Sequence, residues 1–219
     1  MGPHGDDPRG PRPYPPSACS SLGAILAGGA SRRFGAPKAL ARVGGRSIAE
    51  RVRDALAAAV GGVVVIANDP DLFAALHLPT RPDRRPGEGP LAGVEAALRW
   101  AMDEGRPGAL VTACDMPFLD ARALRLLLDA APGDAAAFAG ASRPPLCVYL
   151  ATSCLPAVER LLEGDERSMR ALLDAVDTAW VPEGEVARWI DPQTMFFNVN
   201  TPDDLRRAEQ IARELDARA

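Results

Sequence analysis

Leu22-Gly23-Ala24-Ile25-Leu26-Ala27-Gly28-Gly29-Ala30-Ser31-Arg32-Arg33-Phe34-Gly35-Ala36-Pro37-Lys38 is the stretch on which the fold turns. Its first six residues are an apolar run of strand length, the texture of a strand buried on both faces of a sheet. The glycines after it let the backbone turn tightly and aim N–H groups at an anion, while Arg33 and Lys38 supply countercharge for phosphates. The stretch is not a Walker loop, because Gly35 is followed by Ala-Pro-Lys, and it is not the dinucleotide Gly-x-Gly-x-x-Gly. A solvated turn would account for a Gly-Gly pair alone. Gly35, the arginines and the lysine together favour a phosphate cradle.

Outward from this stretch, apolar runs alternate with amphipathic segments. Ser47 caps a helix running to about Ala59, and Val63 to Ala67 is the clearest strand. Asp71 to Leu76 reads as a short helix, Pro79 to Gly89 as a Pro/Arg/Gly-rich loop, and Pro90 to about Gly105 as a helix. Ala109 to Cys114 is a buried strand halted at Asp115-Met116-Pro117. A helix over Ala121 to Ala130, strands over Ala135 to Ala139 and Leu146 to Leu150, and helices over Ser153 to Glu163 and Ser168 to Leu173 follow. Ala179-Trp180-Val181 and Val186 to Ile190 are weaker strands. Thr201, Pro202 and Asp203-Asp204 start a last helix ending near Asp216. This order predicts a three-layer α/β/α fold, a single domain over residues 21–217 with a mostly parallel, mixed sheet.

Composition narrows the function. Of 25 basic residues 24 are arginine, and the one lysine is Lys38. An ammonium and a guanidinium fork are not interchangeable at a shaped site, so a lone lysine points to a place that needs a compact charge. A net charge of −4 gives no basic footprint for nucleic acid. Two histidines, His4 and His77, leave little material for a histidine metal cluster or a Ser-His-Asp triad, and His77 between two leucines reads as packing. Cys19, Cys114, Cys147 and Cys154 make no Cys-x-x-Cys pair and read as reduced, mostly buried thiols of the cytosol. No apolar run is long enough to span a membrane. Residues 1–20, with six of the 21 prolines, read as a disordered tail without a signal peptide.

In an open α/β sheet, ligands bind beyond the carboxyl ends of the strands. Besides the first loop, three segments carry polar residues there. Asp115 ends a buried strand, where a carboxylate suits Mg²⁺, which takes one or two carboxylates plus phosphate oxygens and water. Helix capping explains Asp115 equally on spacing alone; the nearby phosphate loop favours metal. Asn68 and Asp83 are placed to bond a base or ribose, although turn chemistry explains both. In Phe197-Asn198-Val199-Asn200-Thr201-Pro202, alternation turns both asparagines to one side, and capping would also explain them.

Together these segments resemble the molybdenum cofactor guanylyltransferase family, of the nucleotide-diphosphate-sugar transferase fold. The resemblance runs from about Leu22 to Leu205. It is carried by Leu26-Ala27-Gly28-Gly29 with Ser31, Arg33, Gly35 and Lys38, by Asn68, and by Asp83 with Gly89-Pro90-Leu91-Ala92-Gly93. Cys114-Asp115-Met116-Pro117-Phe118 and Asn198-Val199-Asn200-Thr201-Pro202 complete it. It implies transfer of GMP from GTP to molybdenum-loaded molybdopterin, with diphosphate released. Leu26, Ala27, Gly28 and Gly29 would contact the nucleotide, Lys38 its phosphates, Asn68 and Asp83 the guanosine, and Asp115 both nucleotide and Mg²⁺. Arg167, Asn198 and Asn200 would face the pterin, and transient contact with other molybdenum cofactor proteins fits this role. One departure stands out: Pro37 occupies the place where the family usually has aspartate, a pairing more familiar from cytidylyl- and sugar-phosphate nucleotidylyltransferases of the same fold.

The chemistry implied is in-line attack by an acceptor phosphate oxygen on the α-phosphorus of GTP. That nucleophile is already anionic, so no histidine base is required. Arg33, Lys38 and the loop N–H groups would stabilise charge on the α-phosphate and leaving diphosphate. Two alternatives remain at this point: a cytidylyl- or sugar-phosphate nucleotidylyltransferase, and a nucleotide-binding regulatory protein without transfer activity.

Overall fold

The computed structural model describes residues 20–27, 38–69, 71–131, 133–140, 146–164 and 166–217. Among these residues nine strands occur in the order β1 (Leu22–Leu26), β2 (Arg42–Val43), β3 (Arg46–Ser47), β4 (Val63–Ile66), β5 (Thr80–Arg81), β6 (Gly108–Ala113), β7 (Ala135–Ala139), β8 (Cys147–Ala151) and β9 (Thr178–Pro182). The helices are α1 (Ile48–Ala59), α2 (Pro90–Asp103), α3 (Ala121–Asp129), α4 (Leu155–Glu163), α5 (Met169–Ala175), α6 (Pro192–Met195) and α7 (Pro202–Asp216).

Seven strands form one sheet in the order β5-β4-β1-β6-β8-β7-β9. Every neighbouring pair is parallel except β6 with β8 and β8 with β7, so β8 alone runs backwards. Side chains alternate between two cores. Ile25, Val65, Leu110, Phe138 and Tyr149 face α1, α3 and α7, while Leu22, Ala24, Leu26, Val111 and Leu150 face α2, α4 and α5. A sheet covered on both faces is why β1 and β4 read as unbroken apolar runs. Gly108 is required where β6 meets β8, since a Cβ there would strike the Leu150 carbonyl oxygen and the Tyr149 hydroxyl.

Helix starts follow the sequence signals. Ser47 and Glu50 form a capping box at α1, Asp120 caps α3, Ser168 caps α5, and Thr201 with Asp204 boxes α7 behind Pro202. Three expectations are corrected. Val186 to Ile190 is not a strand: residues Glu183–Arg188 wind as a 3₁₀ turn, and the amides of Trp189 and Ile190 both donate to the Val186 carbonyl. Pro182 ends β9, and the buried Val186 side chain fixes the turn inward. His77 does not pack; it is exposed in a turn with φ +52°, and its amide donates to the Ala74 carbonyl. The stretch from Pro79 to Gly89 is not all loop, because Thr80 and Arg81 pair with Val65 and Ile66 as an edge strand. The β2–β3 hairpin adds an element that the chain signals by Gly44-Gly45, both at positive φ. The proposed tail lies in residues 1–19, outside the described residues, apart from Ser20.

Candidate active site

The chain leaves β1 to build β4 and β5 on one side, then crosses back to lay β6 on the other. Such a reversal opens a crevice at the carboxyl ends of the diverging strands. A cavity of about 470 Å³ fills it, lined by Leu26, Lys38, Ile66, Asn68, Asp83, Gly87, Gly89, Pro90, Gly93, Ala113, Cys114, Asp115 and Leu146.

Asp115 hangs from the end of β6, which is tied to β1 by the Cys114 amide donating to the Leu26 carbonyl at 3.2 Å. The lysine opens a 3₁₀ turn, Lys38–Leu40, and its Nζ lies 2.6 Å from Asp115 Oδ2 and 3.0 Å from Asn200 Oδ1. The Lys38 and Asp115 side chains are 23% and 15% exposed, so this pair is less screened than a surface ion pair. Asn200 is aimed by its neighbours: the amide of the buried Val199 donates to the Asp115 carbonyl at 2.9 Å, and the amides of Asn200 and Thr201 both donate to Asp204 Oδ2. Burial pushes the Asp204 carboxyl up, but the hydrogen bonds from Asn200 and Thr201 outweigh it and leave the group below the usual aspartate value.

Capping does not explain Asp115. Asp120 caps α3, accepting from the Arg122 amide at 2.8 Å, and the Arg122 side chain holds its carboxyl below the usual range. Asp115 Oδ1 is instead buried without a hydrogen-bond partner among the described residues. No cluster of three His, Cys, Asp or Glu side chains able to hold a metal occurs among the described residues. A lone carboxylate with a free oxygen on a cavity wall nevertheless fits Mg²⁺, which completes its shell with water and substrate phosphates. The adjacent Cys114 thiol is pushed up to about 12, first by burial and then by the Asp115 charge, and is unreactive near neutrality.

On the opposite wall Asn68 and Asp83 bind each other: Asn68 Nδ2 donates to Asp83 Oδ2 at 2.9 Å, and the Asp83 amide returns a bond to Asn68 Oδ1 at 3.1 Å. The loops after β4 and β5 are thereby closed onto one another. Gly89, at φ +81°, starts α2 in a backbone region that a side chain would strain, and Gly93 lets α2 approach Leu26 closely. Ala27 continues the β1 ladder through its amide to the Ile66 carbonyl.

The other expected residues stand apart. Asn198 and Asn200 flank the buried Val199, are both exposed and neither lines the cavity; Asn200 reaches Lys38, whereas Asn198 donates to the Phe196 carbonyl. Arg167 Nη1 lies 3.4 Å from Glu88 in the loop after β5, and its Nε donates to the Gly164 carbonyl. Gly28, Gly29, Arg33 and Pro37 fall outside the described residues. Sequence reading missed Glu95, a buried carboxylate on α2; its signal was an acidic residue on the apolar stripe of Leu91, Val94 and Leu98.

Comparison with known proteins gives a consistent picture. Residues 23–180 match the model of the MobA-like NTP transferase domain. The chain is 40% identical over 197 residues to the molybdenum cofactor guanylyltransferase of Rhodobacter capsulatus, covering 88% of this chain and 96% of that one. It is 38% identical over 194 residues to the enzyme of the same name from Rhizobium meliloti, covering 84% and 88%. The crystal structure of molybdopterin-guanine dinucleotide biosynthesis protein A from Archaeoglobus fulgidus superposes with a TM-score of 0.73 at 29% identity, covering 88% and 99%. A 4-diphosphocytidyl-2C-methyl-D-erythritol synthase from Anaerococcus prevotii shares the fold at a TM-score of 0.69 and 12% identity, covering 90% and 97%.

Proposed function

This chain belongs to the MobA-like NTP transferase family, and from that premise we propose that it transfers GMP from GTP to the terminal phosphate of molybdenum-loaded molybdopterin. The observation that carries the reading is the Lys38–Asp115 pair, with Asn200 bonded to Lys38 behind it, at one wall of a strand-end cavity whose other wall holds the Asn68–Asp83 pair. The first pair suits the triphosphate and the second suits the guanosine.

An acceptor phosphate oxygen attacks the α-phosphorus in line; the new P–O bond forms as the α–β bridging P–O bond breaks, and diphosphate leaves. Lys38 places a compact positive charge where the phosphates gather, with Asn200 fixing its direction. Asp115 would hold Mg²⁺, which supplies charge neutralisation and orientation to the triphosphate. Arg33, Gly28 and Gly29, outside the described residues, would add donors to the phosphates as the family resemblance implies, and Leu26 and Ala27 would contact the nucleotide. Arg167 and Asn198, which lie outside the cavity lining, would serve the acceptor. No histidine is asked to act, in keeping with a nucleophile that is already ionised.

No helix among the described residues is long and apolar enough to cross a membrane, and the three described cysteines are free thiols. Both fit a cytosolic enzyme. The test is diphosphate release from GTP, Mg²⁺ and molybdenum-loaded molybdopterin, beside a thermal-shift panel of the four NTPs. GTP should give the largest stabilisation. Stronger stabilisation by CTP would transfer the chain to the cytidylyl branch that Pro37 suggests, and GTP binding without diphosphate release would make it a nucleotide-binding regulator.

A further inference from the structure

Glu95 is the one charged residue that is fully buried among those described, 2% exposed on α2. An unpaired carboxylate there would cost several kcal/mol, and an apolar residue of similar volume would serve packing as well or better. The reason for its presence lies in what each oxygen meets. Oε1 accepts from Arg99 Nε at 3.1 Å, one turn along the same helix. Oε2 faces Arg85 Nε at 3.4 Å, and Arg85 belongs to the loop that forms the base-side wall of the cavity.

The Arg85 amide donates to Asp83 Oδ1 at 3.1 Å, and the Glu88 amide donates to the Arg85 carbonyl at 3.2 Å. Arg85 is therefore hydrogen-bonded to Asp83 through its backbone and ion-paired through its side chain with the buried carboxylate, whose Oε2 has no hydrogen-bond partner among the described residues and so depends on that guanidinium for its compensation. One end of the loop is pinned to Asn68, the middle to Glu95, and the far end runs into Gly89 at the start of α2. Beyond Arg85, Glu88 Oε1 meets Arg167, so the same loop reaches the residue assigned to the acceptor side.

We propose that Glu95 is a positioning residue, a buried strut that holds Arg85 and through it sets the Asp83–Gly89 loop at the height needed to read the nucleotide base. The consequence for nucleotides rests on the nucleotidyltransferase reading above; the strut itself does not. Loss of the charge should loosen the loop, weaken nucleotide binding and blunt discrimination among bases, while leaving the Lys38–Asp115 chemistry in place.

The experiment uses the full-length protein as Glu95→Gln, Arg85→Met and the double variant. Arg85 is partly exposed, so Arg85→Met keeps the question open if Glu95→Gln fails to fold. Hydrogen–deuterium exchange of residues 83–89 should accelerate in both single variants without nucleotide, because local opening becomes easier. In turnover, KM for GTP should rise about ten-fold with kcat changed less than about three-fold, and preference for GTP over ATP should fall. The double variant should match the worse single one, as expected for two ends of one contact. Unchanged exchange over residues 83–89, or additive effects in the double variant, would overturn the strut; faster exchange with an unchanged KM and base preference in a GTP-using enzyme would overturn its role in base reading. Faster exchange in a protein whose wild type fails to bind GTP would keep the strut and discard the nucleotide reading.

Discussion

Lys38 and Asp115, 77 positions apart, meet at 2.6 Å where β1 and β6 end side by side. One Asp115 oxygen holds the ammonium while the other is buried and unpartnered among the described residues. The pair unites the lone lysine with the carboxylate best placed for a divalent cation.

Replacing Asp115 by Asn keeps its shape and removes its charge. Turnover with Mg²⁺ should fall at least about 100-fold, the scale of losing one electrostatic stabiliser of a transition state. The melting temperature should stay within a few degrees, because the pair is partly exposed. Wild-type turnover would remove Asp115 from the metal site.

Lys38→Arg retains charge and changes form. A guanidinium cannot occupy the point that sits 2.6 Å from Asp115 and 3.0 Å from Asn200 without moving one of them. We expect GTP turnover to drop by at least about ten-fold. Equal activity would mean that any cation serves there.

Asp204→Asn probes the support behind Asn200. The Asp204 pKa lies below its unfolded value, so its charge adds stability above the unfolded pKa, about 3.9, and that contribution disappears as pH falls through the folded value. Urea midpoints at pH 7 should show a loss of about 0.5–1 kcal/mol, shrinking towards zero near pH 2. A gap that widens in acid would contradict the sign.

At Gly93, two effects oppose each other. Alanine gains about 1 kcal/mol of helix propensity over glycine, but its Cβ would lie 3.0 Å from Leu26 Cδ1 and push that side chain towards the cavity. Gly93→Ala should therefore change stability by less than about 1 kcal/mol while raising KM for GTP. An unchanged KM would show that Leu26 does not set the pocket's depth.

Legibility followed physical range. The apolar runs of β1, β4 and β6 and the capped helix starts are local signals, and they located the strand ends where Asp115 and Asn68 stand; Asp83 was read in a loop because the edge strand before it is two residues long. Val186 to Ile190 misled because a buried valine beside Trp189 reads the same in a strand or a 3₁₀ turn. The hairpin around Gly44-Gly45 was missed, because its strands are two residues each, too short to show alternation. The bond from Lys38 to Asn200 spans 162 positions and has no periodic signature. Glu95 was legible in principle as an acid on an apolar stripe, although its partner Arg85 was hidden in a run of arginines.

The Val199 amide on the Asp115 carbonyl carries a consequence for the order in which this molecule can be assembled. Lys38 and Asp115 are made early, yet the asparagine that orients the lysine, and the cap that orients the asparagine, leave the ribosome only with the last fifth of the chain. These residues also lie past position 180, where the matched domain stops. A nascent chain halted there would hold nearly all of the sheet and the ion pair's two partners but not the third contact, so the Lys38–Asp115–Asn200 cluster is completed by the C-terminal segment rather than by the sheet.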